Sequence, residues 1–430
     1  VVGAGILLGN ITGFFRVAVA AWLLGTHARA DALAVAMGPL DTLNSAVLNT
    51  MLFAFAPMLM LRQGGDRAAL FAGAVRVFAT ILAATSAAVA VFAPRLAVFL
   101  GPGLAPPQHD EVVMLLRLFA PATLFAGTSA IYAALLYTER RFLVPALYQT
   151  CLNGATITAA LTLWSAFGVN GFAIGYTAGA ALQFALTWWF SRDLRRTPPS
   201  ALHLSAAMLL SKPGMFLAYA VLIAANIAAT RVFATQAGPG MAAAFDYCMR
   251  CVGVVMAYLV YPVASTLVPE IARLRGANRT AQAYRLIDKS VLMMAASAAF
   301  CCGISILVRV PAIALLFQRG SFTAESTRLV SGVFLGFAPS LFGGALLDLT
   351  ARCFFALDRP ALPLAVSFIP ISVNLVITSR LRADGRLADP AMLGMGASIG
   401  LIAGFAALFA LIHFRRNAAK LEPSLVELPG

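Results

Sequence analysis

Ala391-Met-Leu-Gly-Met-Gly-Ala-Ser-Ile-Gly-Leu-Ile-Ala-Gly-Phe-Ala-Ala-Leu-Phe-Ala-Leu-Ile-His-Phe414 contains no Asp, Glu, Lys or Arg. A helix of about 20 apolar residues is long enough to cross the hydrocarbon of a bilayer. Stretches of this kind recur from one end of the chain to the other, separated by short polar gaps. Composition agrees: 61% of the 430 residues are hydrophobic and only 11% are charged. A water-soluble domain carries about a quarter charged residues, so this chain cannot clothe a water-facing surface. The reading is an all-α membrane protein with about twelve transmembrane helices, over approximately 2–25, 32–61, 69–100, 112–138, 143–166, 169–190, 213–236, 241–271, 287–317, 328–356, 361–380 and 391–414. The first of these lacks a basic leader region and a small-residue cleavage site, and is read as a spanning helix rather than a signal peptide.

A net charge of +14 would suggest nucleic acid in a soluble protein. Here the basic residues sit mainly at segment ends, without the interleaved aromatics of a nucleic-acid surface. Cytoplasmic loops of membrane proteins collect Arg and Lys. With the N-terminus inside, one side receives Arg62, Arg140, Arg141, Arg192, Arg195, Arg196, Arg273, Arg359 and Arg415 among others. The opposite side receives Arg29, Arg319, Arg328, Arg380, Arg382 and Arg386. That bias predicts both termini in the cytoplasm and an even number of spans.

The chain also repeats itself. Arg16 precedes Asp31 by the interval that separates Arg231 from Asp246, and the two pairs lie 215 positions apart. Phe119-Ala-Pro121 returns 218 positions later as Phe337-Ala-Pro339. Tyr137-Thr-Glu-Arg-Arg141-Phe-Leu-Val-Pro145 returns at the same offset as Phe355-Ala-Leu-Asp-Arg359-Pro-Ala-Leu-Pro363. A nearly constant offset across several landmarks indicates tandem duplication. Six helices per copy make the repeats parallel, an arrangement found in transporters. The expected organisation is an N-terminal six-helix lobe over 1–196, a linker over 197–212, a C-terminal six-helix lobe over 213–414 and a polar cytoplasmic tail over 415–430, with a cavity between the lobes.

Charges within spanning segments are expensive and mark pathways or partners. The candidates are Arg16, Asp31, Asp41, Arg76, Arg117, Arg231, Asp246, Arg250, Asp348 and Arg352. Asp246 with Arg250, and Asp348 with Arg352, have the i,i+4 spacing that places an acid and a base on one helix face. Each pair either neutralises itself to fix packing or serves a cavity. Arg16 has no acid one helical turn away, so it requires a distant partner or an anion. Guanidinium binds phosphate oxygens in a planar fork, which makes a diphosphate headgroup a fitting ligand. Asn10, Asn44, Asn153, Gln183, Asn226 and Asn374 are expected chiefly to bind helices to one another. Prolines such as Pro39, Pro121, Pro262 and Pro339 are expected to bend theirs.

The cysteines Cys151, Cys248, Cys251, Cys301, Cys302 and Cys353 lie in apolar segments and read as small hydrophobes. The histidines are scattered, so no metal or other cofactor is expected. Phosphate-binding loops, zinc-protease motifs and nucleophile elbows are missing from the sequence, and the expectation is a transporter rather than an enzyme.

Gly13-Phe-Phe-Arg16, Ala30-Asp31-Ala32, Pro269-Glu-Ile-Ala-Arg273, Leu315-Leu-Phe-Gln-Arg-Gly-Ser-Phe-Thr323 and Ala351-Arg-Cys-Phe-Phe-Ala-Leu357 resemble the MviN/MurJ family of lipid II flippases. That family belongs to the multidrug, oligosaccharidyl-lipid and polysaccharide exporter superfamily. The resemblance implies a V-shaped pair of lobes around a cationic cavity in the bacterial cytoplasmic membrane. It implies alternating-access translocation of a polyprenyl-diphosphate-linked saccharide, lipid II or a related envelope glycan precursor. Arg16 and Arg250 follow the family's cavity arginines by position, while Trp22 and Leu43–Asn44 fall where the family has further arginines. Arg16 and Arg250 are expected to hold the diphosphate, with Arg231, Asp31, Asp246, Arg352 and Asp348 completing the site. Expected partners are the lipid-linked glycan, membrane lipids and envelope glycan synthesis enzymes. Two alternatives stand beside this: a cation- or proton-coupled exporter of small amphipathic molecules on the same fold, and a non-transporting scaffold for glycan synthesis.

Overall fold

The computed structural model describes residues 2–200 and 212–421. Most of the expected linker over 197–212, and the end of the expected tail from 422, lie outside the described residues. Among the described residues the chain is helical, without a strand. The long helices are α1 (Val2–Leu24), α2 (Ala28–Thr50), α3 (Gly64–Val91), α4 (Pro106–Thr138), α5 (Leu143–Thr162), α6 (Asn170–Phe190), α7 (Lys212–Ala237), α8 (Met241–Gly276), α9 (Thr280–Phe317), α10 (Ala324–Ala356), α11 (Phe368–Ala383) and α12 (Met395–Leu421). Among the described residues, eight segments are long and apolar enough to cross a membrane: α3, α4, α8, α9, α10, Leu217–Ala237 in α7, Ala361–Ala383 around α11, and Pro390–Phe414 leading through α12.

Proline explains where the elements depart from simple rods. A proline supplies no N–H and its ring presses on the carbonyl four residues back. The expected helix over 69–100 is broken at Phe92, and a short helix, Ala93–Leu100, restarts with Pro94 in its first turn. Ahead of Pro57 the chain leaves α2 through a π turn, Met51–Phe55, where the Ala56 amide donates to the Met51 carbonyl. The helix then runs on to Met60. Pro39, Pro121, Pro262, Pro269, Pro311 and Pro339 remain inside continuous helices.

By their contacts the residues fall into two compact units. One comprises Val1–Ala224, Arg231–Arg250 and Ile313–Leu329; the other comprises Ala225–Thr230, Cys251–Ala312 and Val330–Gly430. In the first, Met51, Phe55 and Leu59 pack with Leu70, Phe78 and Leu82 of α3 and with Ile131, Tyr132 and Leu135 of α4. Gly171, Gly175 and Gly179 recur every fourth residue and turn one face of α6 into a groove. A methyl group on Gly175 would lie 2.6 Å from the Ala159 Cβ, and one on Gly179 would lie 2.9 Å from the Leu152 carbonyl. Small residues at this spacing let helix backbones approach in the absence of a hydrophobic driving force. The second unit uses the same device on α12, where a methyl on Gly400 would lie 2.5 Å from the Pro370 carbonyl and one on Gly404 2.8 Å from the Pro370 ring.

The internal repeat also reappears as contacts. In the first unit Asn153 Nδ2 of α5 donates to the Gly9 carbonyl of α1 at 3.2 Å. In the second, Asn374 Nδ2 of α11 donates to the Asn226 carbonyl of α7 at 3.3 Å, and to the Asn226 and Thr230 side-chain oxygens at 2.8 Å each. Ser86 donates to the carbonyl of Ala120, the residue before Pro121, at 2.7 Å. Cys302 does the same for Ala338, before Pro339, at 3.2 Å.

Candidate functional site

Inside the first unit lies a cavity of about 300 Å³, lined by charged side chains from four helices: Arg16 of α1, Asp41 of α2, Arg231 of α7, and Asp246 and Arg250 of α8. Three guanidinium groups thus face two carboxylates. Met37, Phe172, Tyr247 and Met249 supply part of the apolar wall.

The partner that Arg16 required is Asp41. Arg16 Nη2 donates to Asp41 Oδ2 at 2.7 Å. The other carboxylate oxygen accepts from the Tyr176 hydroxyl at 2.9 Å, and Asn44 Nδ2 donates to that hydroxyl at 3.2 Å. The Tyr176 proton is therefore committed to Asp41. The guanidinium lies 5.6 Å from the centre of the Tyr176 ring, close enough for a cation–π attraction. Nε and Nη1 of Arg16 remain buried with no hydrogen-bond partner.

Arg231 repeats the pattern. Its Nε and Nη2 donate to Asp246 Oδ1 at 3.0 and 2.6 Å, while Nη1 is buried with no partner. The i,i+4 geometry suggested Arg250 for Asp246, yet it is the α7–α8 turn that brings Arg231 onto that carboxylate. Arg250 Nη2 donates to the Asn10 carbonyl of α1 at 2.8 Å. Buried polar groups are normally satisfied; Arg16 and Arg231, both in the lining of this cavity, each keep donors that are not.

Two glycines make room for these arginines. A methyl on Gly13 would overlap the Arg250 guanidinium, and a methyl on Gly38 would overlap that of Arg231. The Gly13-Phe-Phe-Arg16 motif therefore does two things: it presents one arginine and leaves a notch for another.

Asp31 has a different place. It is 3% exposed, and its two oxygens accept the amides of Gly240 at 2.7 Å and Ala243 at 2.9 Å. A carboxylate on the open N–H groups of a helix start satisfies them and complements the helix dipole, so Asp31 anchors the beginning of α8. Next to it, Tyr247 donates to the Gly25 carbonyl at 2.7 Å and packs against Phe317 and Phe322 of the 315–323 motif. Asp348 and Arg352 belong to the second unit and do not line the cavity. Their i,i+4 ion pair is formed, Arg352 Nε to Asp348 Oδ1 at 3.0 Å, with the guanidinium 5.4 Å from the Tyr261 ring centre. Among the described residues, no three His, Cys, Asp or Glu side chains group as a metal site.

Sequence reasoning placed Arg16, Arg231, Asp246 and Arg250 in the site. It named Asp41 as an intramembrane charge without linking it to Arg16, quoted Gly13 only as the first residue of a motif, and passed over Tyr176 and Gly38. The signal for the glycines was their position, in the same or a neighbouring turn to a membrane-embedded charge.

Helices long and apolar enough to cross a membrane, with charged side chains converging on an internal cavity, make this a multi-pass membrane protein. A solved structure described as lipid II flippase MurJ in an inward closed conformation superimposes with a TM-score of 0.81 at 17% identity, covering 100% of this chain and 93% of that one. An inward-facing multidrug resistance transporter of the MATE family superimposes with a TM-score of 0.75 at 12% identity, over 95% of each chain. The sequence matches the profile of the lipid II flippase MurJ family over residues 20–427; the chain belongs to that family. A protein described as a probable lipid II flippase MurJ, from Rhizobium meliloti (strain 1021), is 26% identical over 464 aligned positions, covering 100% of this chain and 82% of that one.

Proposed function

We propose that this protein moves a polyprenyl-diphosphate-linked saccharide, lipid II or a closely related envelope precursor, across the bacterial cytoplasmic membrane without altering it covalently. The observation that carries this reading is the pair of buried arginines, Arg16 and Arg231, which line one cavity and each keep donors without a hydrogen-bond partner. Arg250 adds a third guanidinium. A diphosphate offers several anionic oxygens within a few ångströms, and charge-assisted bonds from guanidinium are the strong ones. The saccharide and the lipid tail would be carried as appendages of that anchored headgroup. Alternating exposure of the cavity to the two faces of the membrane would complete the transfer.

Family membership supports this reading, as does the net positive lining, which disfavours cationic cargo. The excess of Arg in the loops assigned to one side supports cytoplasmic termini. Envelope glycan synthesis enzymes would supply the substrate and consume the product.

The test is a flipping assay in proteoliposomes containing the lipid-linked saccharide. Removing one guanidinium forfeits charge-assisted bonds of about 1.5–3 kcal/mol each. Arg16→Ala and Arg231→Ala should therefore lower transport roughly 10- to 100-fold in protein that still folds. Normal transport by both variants would sink the site, and no transport by the unsubstituted protein would sink the function.

A further inference from the structure

The two ion pairs of the cavity share an asymmetry. In each, the guanidinium is the buried member and the carboxylate the accessible one: side-chain exposure is 8% for Arg16 against 32% for Asp41, and 7% for Arg231 against 26% for Asp246. An anion entering the cavity therefore meets the carboxylates first. The arginine donors they hold are Nη2 of Arg16 and Nε with Nη2 of Arg231, and the donors without a hydrogen-bond partner are the buried Nε and Nη1 of Arg16 and Nη1 of Arg231. A phosphate can engage a full guanidinium fork only by taking donors that a carboxylate now holds.

We propose that Asp41 and Asp246 are resident anions. They occupy on Arg16 and Arg231 the places that diphosphate oxygens take on binding, so loading is an exchange of one anion for another and release is the reverse exchange. This rests on the proposed function and adds to it a pair of residues that sets affinity. Two physical requirements are met at once. A buried arginine with no counter-charge is costly, so the empty cavity needs a carboxylate on each. A ligand held by uncontested arginines would leave slowly, whereas a carboxylate one side-chain rotation away competes for its site and hastens departure. Asp41 is equipped to step aside, because the Tyr176 hydroxyl that Asn44 orients stays bonded to it when Arg16 lets go.

The apparent affinity of a site is reduced by the fraction of time that its competent state is unavailable. Removing a resident anion should raise it. Asp41→Asn and Asp246→Asn keep the shape of the side chain and delete its charge. Inorganic pyrophosphate binding to the purified full chain in nanodiscs, followed by calorimetry, is the direct measurement, with flipping of the lipid-linked saccharide as the companion readout. Each folded variant should bind pyrophosphate about tenfold tighter or more while turning over more slowly, and Arg16→Ala should move affinity in the opposite direction. Merely structural carboxylates would give variants that bind equally or more weakly, and that result overturns the proposal, as does failure of pyrophosphate to bind any form. The two variants address separate pairs, so one that unfolds leaves the other to decide. If pyrophosphate binds tighter to the variants but the unsubstituted protein flips no lipid-linked saccharide, the exchange stands and the proposed cargo falls.

Discussion

Replacing Asp31 with Asn separates scaffold from substrate contact. The carboxylate holds two amides at the start of α8, those of Gly240 and Ala243, at 2.7 and 2.9 Å and almost wholly out of solvent. Hydrogen bonds to a charged acceptor contribute about 1.5–3 kcal/mol each, and a carboxylate at a helix N-terminus adds about 0.3–2 kcal/mol through the dipole. An asparagine retains one acceptor oxygen but turns an NH2 group toward the second amide. One bond and the charge are lost together, for an expected destabilisation of about 2–4 kcal/mol. Asp31→Ala should cost more, since both amides are then orphaned. Equilibrium unfolding in mixed micelles with an increasing fraction of denaturing detergent, read by tryptophan fluorescence, gives the ranking directly. Stability of Asp31→Asn within about 0.5 kcal/mol of the unsubstituted protein would fall inside ordinary surface-substitution scatter and would refute the anchoring role. The same variant carries a secondary expectation. Asp246 and Arg250 ride on α8, so loosening its start should also weaken anion binding, in proportion to the loss of stability.

Gly38→Leu should lose pyrophosphate binding with little change in secondary structure by circular dichroism, because its side chain takes the space of the Arg231 guanidinium; retained affinity would show that Arg231 has an equivalent alternative position. At the loop following α6, the Arg141 hydrogen bond holds the Asp193 carboxyl below its usual range. A carboxylate depressed in the folded state stabilises above its unfolded pKa and loses that contribution as pH falls through the folded one. The melting-temperature difference between Asp193→Asn and the unsubstituted protein should therefore be small but present at neutral pH and shrink toward zero as acid takes the pH below the ordinary carboxylate range; a difference that does not shrink with falling pH would assign it to something other than this pair.

The chemistry of single helices was legible from the primary structure. Apolar length marks a span because the bilayer leaves the backbone only itself to bond with, so the all-helical membrane class and the approximate places of the helices follow from hydropathy alone. The Asp348–Arg352 pair was legible for a related reason: acid and base one turn apart share a helix face whatever else the chain does. The repeated Phe-Ala-Pro elements could be read off too, and their preceding carbonyls find equivalent partners in Ser86 and Cys302.

Which helix faces which was decided only by packing. Asp41 lies 25 positions from Arg16, and Gly240 lies 209 from Asp31; no periodicity within one helix connects such residues. Their meeting depends on the rotation of α1 against α2 and the approach of α8 to the start of α2. These are fixed by glycine notches such as Gly38 and by aromatic contacts such as Tyr247 on Phe317. A guanidinium at membrane depth announces from sequence that some counter-charge or ligand must exist. The choice between Asp41, Asp246 and an incoming phosphate is a matter of a few ångströms between helices, and tertiary structure alone sets those distances.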